Sequence, residues 1–247
     1  MRLSGSDLEA YRTAGHLTVP GVFASAAMAA AIRDGEHWGE AVLAGLPPAD
    51  RAWYVEPGVT ARAVLRKLDN PHFHRAAFRA LAHDPQLVEL VETIIGRGVK
   101  VYFSQIFFKA PEGGGPKPAH QDNFYFGPDD PAGLATAWIA LDDATVENGC
   151  LQFVEGSNRG PVYPHVAPPG EPFNLQLTAV ELARHRFANA PVPRGGVSFH
   201  HGNTIHRSGP NHSPRWRRAC ALHYVRNATR FVTPALRYDE SVVVAIT

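Results

Sequence analysis

The chain has 247 residues, 45% of them hydrophobic, enough to bury a core around an internal cavity as one domain over residues 1–247. With 24 Lys and Arg against 23 Asp and Glu, the formal charge of +1 gives no electrostatic case for nucleic acid or an anionic membrane as a partner. The run Met1-Arg2-Leu3-Ser4 carries no apolar secretion core, and no window approaches the roughly 18 apolar residues of a spanning helix. The expectation is a cytoplasmic protein whose Cys150 and Cys220 stay reduced.

Residues 1–97 read as mainly helical and packed on the remainder of the chain. Ser6 is the expected N-cap of a helix through Leu8, Tyr11 and Arg12, and Ser25 that of another through Met28, Ile32 and Trp38. Apolar spacing predicts a third helix over residues 73–81 and a fourth through Leu87, Leu90, Val91, Ile94 and Ile95, with breaks at Asp84-Pro85 and Gly96. From Val99 the texture changes to short apolar runs at 99–108, 135–141, 151–154, 196–200, 219–225 and 242–246, broken by Gly, Pro and Asn. Many short strands with turn signals predict a sandwich or barrel over residues 98–247. Asn148-Gly149 and Gly156-Ser157-Asn158 read as turn chemistry. Residues 161–193 hold one expected helix, 178–186, and otherwise read as a long loop serving an active site.

Two histidines and one aspartate stand out within this frame. His120 and Asp122 lie in Pro118-Ala119-His120-Gln121-Asp122-Asn123-Phe124, read as a strand running into a loop, where residues two apart face one side. His206 comes much later in the chain and supplies a third ligand if the chain folds back. Two imidazoles and a carboxylate on one face of a metal, with the other face open, is the ligand set of non-haem Fe(II) oxygenases. Such chemistry draws electrons from a keto acid, and the permanently charged fork of Arg217 suits a carboxylate. In Arg217-Arg218-Ala219-Cys220-Ala221-Leu222, alternate residues share a side, so Arg217 lies with Ala219 and Ala221, which leave room for a ligand. Arg215 and Arg218 read as surface. The adjacent His200 and His201 point apart on a strand and read as structural.

Longer stretches carry a resemblance. They are Ser104-Gln105-Ile106-Phe107-Phe108-Lys109-Ala110-Pro111, then His120-Gln121-Asp122-Asn123-Phe124-Tyr125-Phe126, and Ala137-Trp138-Ile139-Ala140-Leu141-Asp142-Asp143. Glu147-Asn148-Gly149-Cys150-Leu151 and His206-Arg207-Ser208-Gly209-Pro210-Asn211 come after these, ending in Arg217-Arg218-Ala219. From about Leu65 to Arg226 the chain resembles the phytanoyl-CoA dioxygenase family of Fe(II)- and 2-oxoglutarate-dependent oxygenases. The resemblance implies a mostly β fold with flanking helices and a double-stranded β-helix (jelly-roll, cupin-like) core. It implies Fe(II) held by His120, Asp122 and His206, with 2-oxoglutarate and O₂ as co-substrates. Ser208 and Arg217 stand at the family's positions, two and eleven residues past the last ligand, for holding the keto acid. Lys109, Gln105 and Trp138 are implied as its further partners. Beyond the open metal face, the candidate substrate wall is Asn123, Phe124, Phe126, Tyr102, Phe107, Arg66 and His165.

The implied reaction is oxidation, chiefly hydroxylation, of an unactivated C–H bond in a small molecule, with desaturation or ring formation as the alternative. Halogenation needs the carboxylate position vacated for chloride, and Asp122 fills it. A cupin-like metal hydrolase or isomerase, using a divalent ion as Lewis acid, leaves Ser208 and Arg217 unexplained. A sensor without turnover leaves the intact ligand set unexplained. Richness in Ala, Arg and Pro suits a high-GC bacterial genome and a role in natural-product biosynthesis.

Overall fold

The computed structural model describes residues 2–57 and 64–247; Met1 and the segment 58–63, inside the part expected to be helical, lie outside the described residues. Ser4, not Ser6, caps α1 (Gly5–Ala14), because Asp7 returns the hydrogen bond in a capping box. Strand β1 (His16–Val19) comes next. Helix α2 (Ser25–Gly45) has Ala24 at its N-cap and no side-chain cap. Packing holds it instead: at Gly35 a Cβ would lie 3.3 Å from Ile106 Cδ1, so the helix sits close on the strands beneath. After α3 (Arg51–Tyr54) comes β2 (Lys67–Asp69). The expected third helix is two pieces, α4 (Pro71–His74) and α5 (Ala76–Ala82), separated by Arg75 in an extended conformation. Asp84 caps α6 (Pro85–Ile95), accepting the Gln86 and Leu87 N–H groups.

The remainder is β3 (Val99–Lys109), β4 (Lys117–His120), α7 (Asp122–Phe126), β5 (Leu134–Ala140), β6 (Leu151–Phe153), β7 (His165–Val166), β8 (Gln176–Leu177), α8 (Ala179–Leu182), β9 (Ala188–Ala190), β10 (Val197–His201), β11 (His206–Ser208), β12 (Arg217–Arg226) and β13 (Val244–Ala245). A seven-stranded antiparallel sheet runs β1-β10-β5-β12-β3-β13, with β2 also beside β3. A four-stranded sheet runs β4-β11-β6-β9, and β7 pairs β8 as a ribbon. This is the double-stranded β-helix expected from the sequence. Two strands come from the part read as helical: β1 and β2 extend opposite edges of the large sheet. Residues 161–193 are less of a loop than expected, supplying the ribbon, a four-residue α8 and the edge strand β9.

Alternation along each strand decides which layer a side chain joins. Ala135, Ala137 and Ile139 of β5 and Cys220, Leu222 and Tyr224 of β12 face the helices, meeting Met28, Phe78, Leu87 and Leu90 in the main core. Trp138, Ala140, Ala219 and Ala221 face the smaller sheet and pack with Leu151 and Phe153. The small alanines leave the space between the sheets partly open, and the large cavity lies there. Cys150 and Cys220 are unbridged and buried in separate cores. No helix of the described residues is long and apolar enough to cross a membrane.

The Asn148-Gly149 turn fixes one wall of that space. Asn148 Oδ1 accepts the Thr145 N–H at 2.7 Å, and its amide donates to the Asp143 carbonyl at 2.7 Å. Gly149 has φ 83°, and a Cβ there would lie 2.3 Å from the Gly209 carbonyl oxygen, itself the acceptor for Lys109 Nζ at 2.7 Å. Gly149→Ala combines left-handed strain with a backbone clash. A loss of about 1–3 kcal/mol is expected, read from the urea midpoint. An unshifted midpoint would refute this account of the turn.

Candidate metal centre and its cavity

His120 ends β4, Gln121 is extended at φ −126° and ψ 133°, and Asp122 opens α7. The extended residue between them turns both side chains to one side, as the spacing predicts, although the chain then turns helical instead of running on as a loop. His206 opens β11 directly opposite His120 in the smaller sheet. Candidate donor atoms of His120, Asp122 and His206 all lie within 4.8 Å of one another, and all three residues are buried. Asp122 Oδ1 is 3.7 Å from His120 Nε2 and 3.8 Å from His206 Nε2.

Hydrogen bonds behind the donors fix their chemistry. His120 Nδ1 lies 2.8 Å from the Pro118 carbonyl oxygen, and His206 Nδ1 lies 2.9 Å from that of Thr204. A carbonyl only accepts, so each Nδ1 carries the proton and each Nε2 presents its lone pair. Burial, with charge from neighbouring groups, pushes His120 well below its ordinary pKa, and burial lowers His206 as well. Both are therefore neutral near pH 7, as ligation requires.

Asp122 is divided between two tasks. Its Oδ2 accepts the Thr136 hydroxyl at 2.5 Å and the His200 Nε2–H at 3.1 Å, while His223 Nδ1 donates to Thr136 Oγ1 at 2.8 Å. Burial opposes ionisation, yet the surrounding imidazoles, His206 foremost, and the His200 hydrogen bond hold the carboxyl well below the usual carboxylate range. Oδ2 is thus occupied and Oδ1 faces the two histidines. His200 and His201 do point apart: His201 Nδ1 accepts the Asn203 N–H at 2.9 Å, away from the centre. The structural reading of His200 holds, with the addition that it steadies a candidate ligand.

Arg217 lies across the same cavity, 2% exposed, with its guanidinium 5.4 Å from the Trp138 ring centroid. Among the described residues no carboxylate pairs with it, and its buried Nε–H has no acceptor. Burial pulls it down to about 9, which leaves it charged near neutrality. A buried guanidinium without a counter-ion is costly, so this orphan donor fits an anionic ligand. Lys109 stands opposite it in register, donating to the carbonyls of Gly115 and Gly209. Ser208 and Trp138 line the same wall. Gln105 also lines the cavity, with its amide committed to Asp69 Oδ1 at 2.8 Å. Arg218 faces outward to Asp142 and Glu36, and Arg215 is exposed, so strand alternation selects the right arginine.

The cavity encloses about 490 Å³, and of the expected substrate wall Arg66, Phe107 and Phe126 line it. Four expected residues do not. The turn of α7 sends Asp122, Tyr125 and Phe126 inward at i, i+3 and i+4, and turns Asn123 and Phe124 toward a separate shallow cleft. There the Asn123 amide is held by Asn203 and Pro131. His165 stacks on Phe124 at 4.0 Å and accepts the Gln121 N–H, so it braces the residue between two candidate ligands from outside. Tyr102 is the extra residue of a β-bulge, since Val101 and Phe103 pair consecutive residues of β12, and it packs behind the cavity on Phe231 at 3.6 Å.

Thr136, His223, Lys117, Tyr125 and Phe173 also line the cavity or support its ligands, and the sequence alone does not single them out. Thr136→Val keeps the shape but releases Oδ2 and strands the His223 donor. We expect divalent-metal affinity, measured calorimetrically with Ni(II), to fall roughly 10- to 100-fold with the fold intact. Unchanged affinity would show that the hydroxyl does not position Asp122.

Comparison with known proteins adds an independent line. The profile of the phytanoyl-CoA dioxygenase (PhyH) family matches residues 11–219. Over 169 residues the chain is 33% identical to phytanoyl-CoA dioxygenase domain-containing protein 1 of Mus musculus, covering 66% of this chain and 57% of that protein. It is 32% identical over 167 residues to a probable alpha-ketoglutarate-dependent hypophosphite dioxygenase of Stutzerimonas stutzeri, covering 65% and 57%. The match thus spans just over half the length of these curated relatives. Among solved structures, SnoK, an alpha-ketoglutarate-dependent carbocyclase from nogalamycin biosynthesis, superposes with TM-score 0.77 at 21% identity, covering 99% of this chain and 97% of that one. AviO1 from Streptomyces viridochromogenes does so with TM-score 0.73 at 26% identity, covering 93% and 98%. By the profile match over residues 11–219, the chain belongs to the phytanoyl-CoA dioxygenase family.

Proposed function

We propose that this protein is an Fe(II)- and 2-oxoglutarate-dependent oxygenase that hydroxylates an unactivated C–H bond of a small molecule. One observation carries the reading: three buried donors with free Nε2 and Oδ1 atoms share a cavity with a buried arginine that pairs with no carboxylate among the described residues. In it His120, Asp122 and His206 hold the metal, and Arg217 with Ser208 holds the distal carboxylate of the keto acid. Lys109 and Trp138 shape that end of the cavity. When bound, the iron and keto acid together supply O₂ activation and the oxidising power needed to break a C–H bond.

The chain's own residues do the rest. The Thr136, His200 and Asp122 hydrogen bonds hold one carboxylate oxygen toward the metal position. Neutral imidazoles, locked by the Pro118 and Thr204 carbonyls, keep their lone pairs directed inward. Phe107, Phe126 and Tyr125 present an apolar wall that orients a substrate and excludes water. The likeness to SnoK, named for nogalamycin biosynthesis, and to AviO1 of Streptomyces viridochromogenes supports a place in bacterial secondary metabolism. Desaturation or ring closure would use the same residues.

Two measurements test this. His206→Ala should abolish succinate formation from 2-oxoglutarate with the fold retained; substantial turnover would sink the metal assignment. Arg217→Lys keeps the charge but loses the fork, so the 2-oxoglutarate requirement should rise about 30-fold or more with metal affinity little changed. An unaltered requirement would place the keto acid elsewhere.

A further inference from the structure

The cavity holds more positive charge than the proposed co-substrate and metal use. Arg217 and Lys109 lie together at one end, in register across β12 and β3. A second group, Arg66, Lys67 and Lys117, surrounds Phe173, and Lys117, opposite Ser208 in register, is close enough to Lys109 to act on its charge. Arg66 Cζ is 4.7 Å, Lys67 Nζ 4.7 Å and Lys117 Nζ 3.9 Å from its ring centroid. Two of these cations have their charge answered. Lys67 Nζ lies 2.7 Å from Asp69 Oδ2, and Arg66 donates to the Ala52 and Trp53 carbonyls with Glu56 and Glu171 nearby. Lys117 differs. Its ammonium donates to Tyr125 Oη at 3.1 Å and to the Phe173 carbonyl at 2.7 Å, and among the described residues no carboxylate lies within ion-pair distance. Of the acids near it, Asp69 is taken by Lys67, and Asp122 is committed to the metal position and its own hydrogen bonds.

Lys117 reaches this place through a backbone irregularity. His206 and Ser208 of β11 pair with His120 and Lys117 of β4, so β4 spends one residue more than its partner over that stretch. The extra residue, next to Pro118, is a bulge, and it turns Lys117 to the face carrying His120. Without it, strict alternation would direct the two side chains apart. Tyr125 and Phe173 lie against Lys117, and Phe107 and Tyr54 line the same cavity, so the wall is aromatic and apolar apart from its hydroxyls.

We propose that Lys117, with Arg66 and Lys67 beside it, forms an acid-recognition subsite, so that the oxidised substrate is a small molecule with an apolar body and one carboxylate or phosphate group. This deepens the oxygenase reading and rests on it. The acid group neutralises the unanswered ammonium, while the aromatic wall holds the body toward the metal position. Burial first, and then Lys67 and Arg66, holds Lys117 well below its ordinary pKa, a strain that a bound anion relieves.

The test uses protein loaded with Ni(II) and saturating 2-oxoglutarate, which occupies the Arg217 end and prevents turnover. Phenylacetate, phenyl phosphate and the neutral phenylacetamide are titrated by calorimetry. At least one acid should bind 10-fold or more tightly than the amide, and the tighter acid identifies carboxylate or phosphate. Lys117→Met should remove that preference, and Lys117→Arg should keep most of it. Equal binding of acid and amide by the unaltered protein overturns the proposal, whatever the variants do. So does a Lys117→Met protein that keeps the preference, or one that loses 2-oxoglutarate affinity instead, which would assign Lys117 to the co-substrate. Failure of the unaltered protein to bind 2-oxoglutarate, with acid selectivity present, would sink the oxygenase reading and leave the subsite standing.

Discussion

A carboxylate buried in protein must be hydrogen-bonded or it costs several kcal/mol, and Asp122 meets that demand with half of its acceptors. The partners are set by sheet register. Thr136 of β5 pairs directly with His200 of β10 on one side and His223 of β12 on the other. These three side chains form a row across the middle of the large sheet, on the face turned toward the smaller one. Asp122 comes down on that row from the end of β4, so its Oδ2 is tied to one sheet while His120 and His206 approach from the other. A one-residue slip of β10 or β12 would turn His200 or His223 off that face and break the row. The centre is therefore a product of sheet alignment as much as of the three donor residues.

That dependence explains which features are legible in the sequence. His120 and Asp122 are two apart on extended backbone, and Arg217 shares a face with Ala219 and Ala221. Both are local, period-two facts, and both survive in the fold. The supporting row is not local: nothing in the spacing of Thr136, His200 and His223 announces that three strands will set them side by side. The errors have equally definite causes. Reading a loop through Asn123 and Phe124 misplaces them, because a turn of helix begins at Asp122 and brings Tyr125 inward instead. Tyr102 and Lys117 sit at bulges, where counting by twos gives the wrong face. His165 braces Gln121 through a ribbon whose pairing across a long connection leaves little trace in apolar periodicity. Strands β1 and β2 are short edge pieces within a helical stretch, and their identity comes from the neighbour they pair with.

Charge organises the cavity along a second axis. Arg217 and Lys109 are deeply buried together, and three cations gather around Phe173, of which Lys117 is close enough to Lys109 to act on its charge. Each group repels its own members, and each is tolerable only because carbonyl oxygens, aromatic faces or ligands answer the charge. The protein answers Lys109 with the Gly115 and Gly209 carbonyls and leaves Arg217 for a ligand. It answers Lys67 with Asp69 and leaves Lys117 with a carbonyl and a phenol. The residues left short at each end mark where binding energy from an anion is available.

The sheets and the elements that face the ligand serve different ends. Proteins named as a carbocyclase and as an epimerase share this architecture, so the reaction outcome is not written in the two sheets. Parts of the cavity wall that lie off the central strands include the α3 residues Trp53 and Tyr54, Phe173 between β7 and β8, and Leu236, Arg237 and Tyr238 ahead of β13. All belong to connections or to the sheet margin, where insertions and substitutions disturb no strand register. The Thr136 row, in contrast, cannot move without unseating Asp122. The metal end is thereby fixed by alignment of three central strands, while the wall that meets a substrate is built from segments free to vary around it.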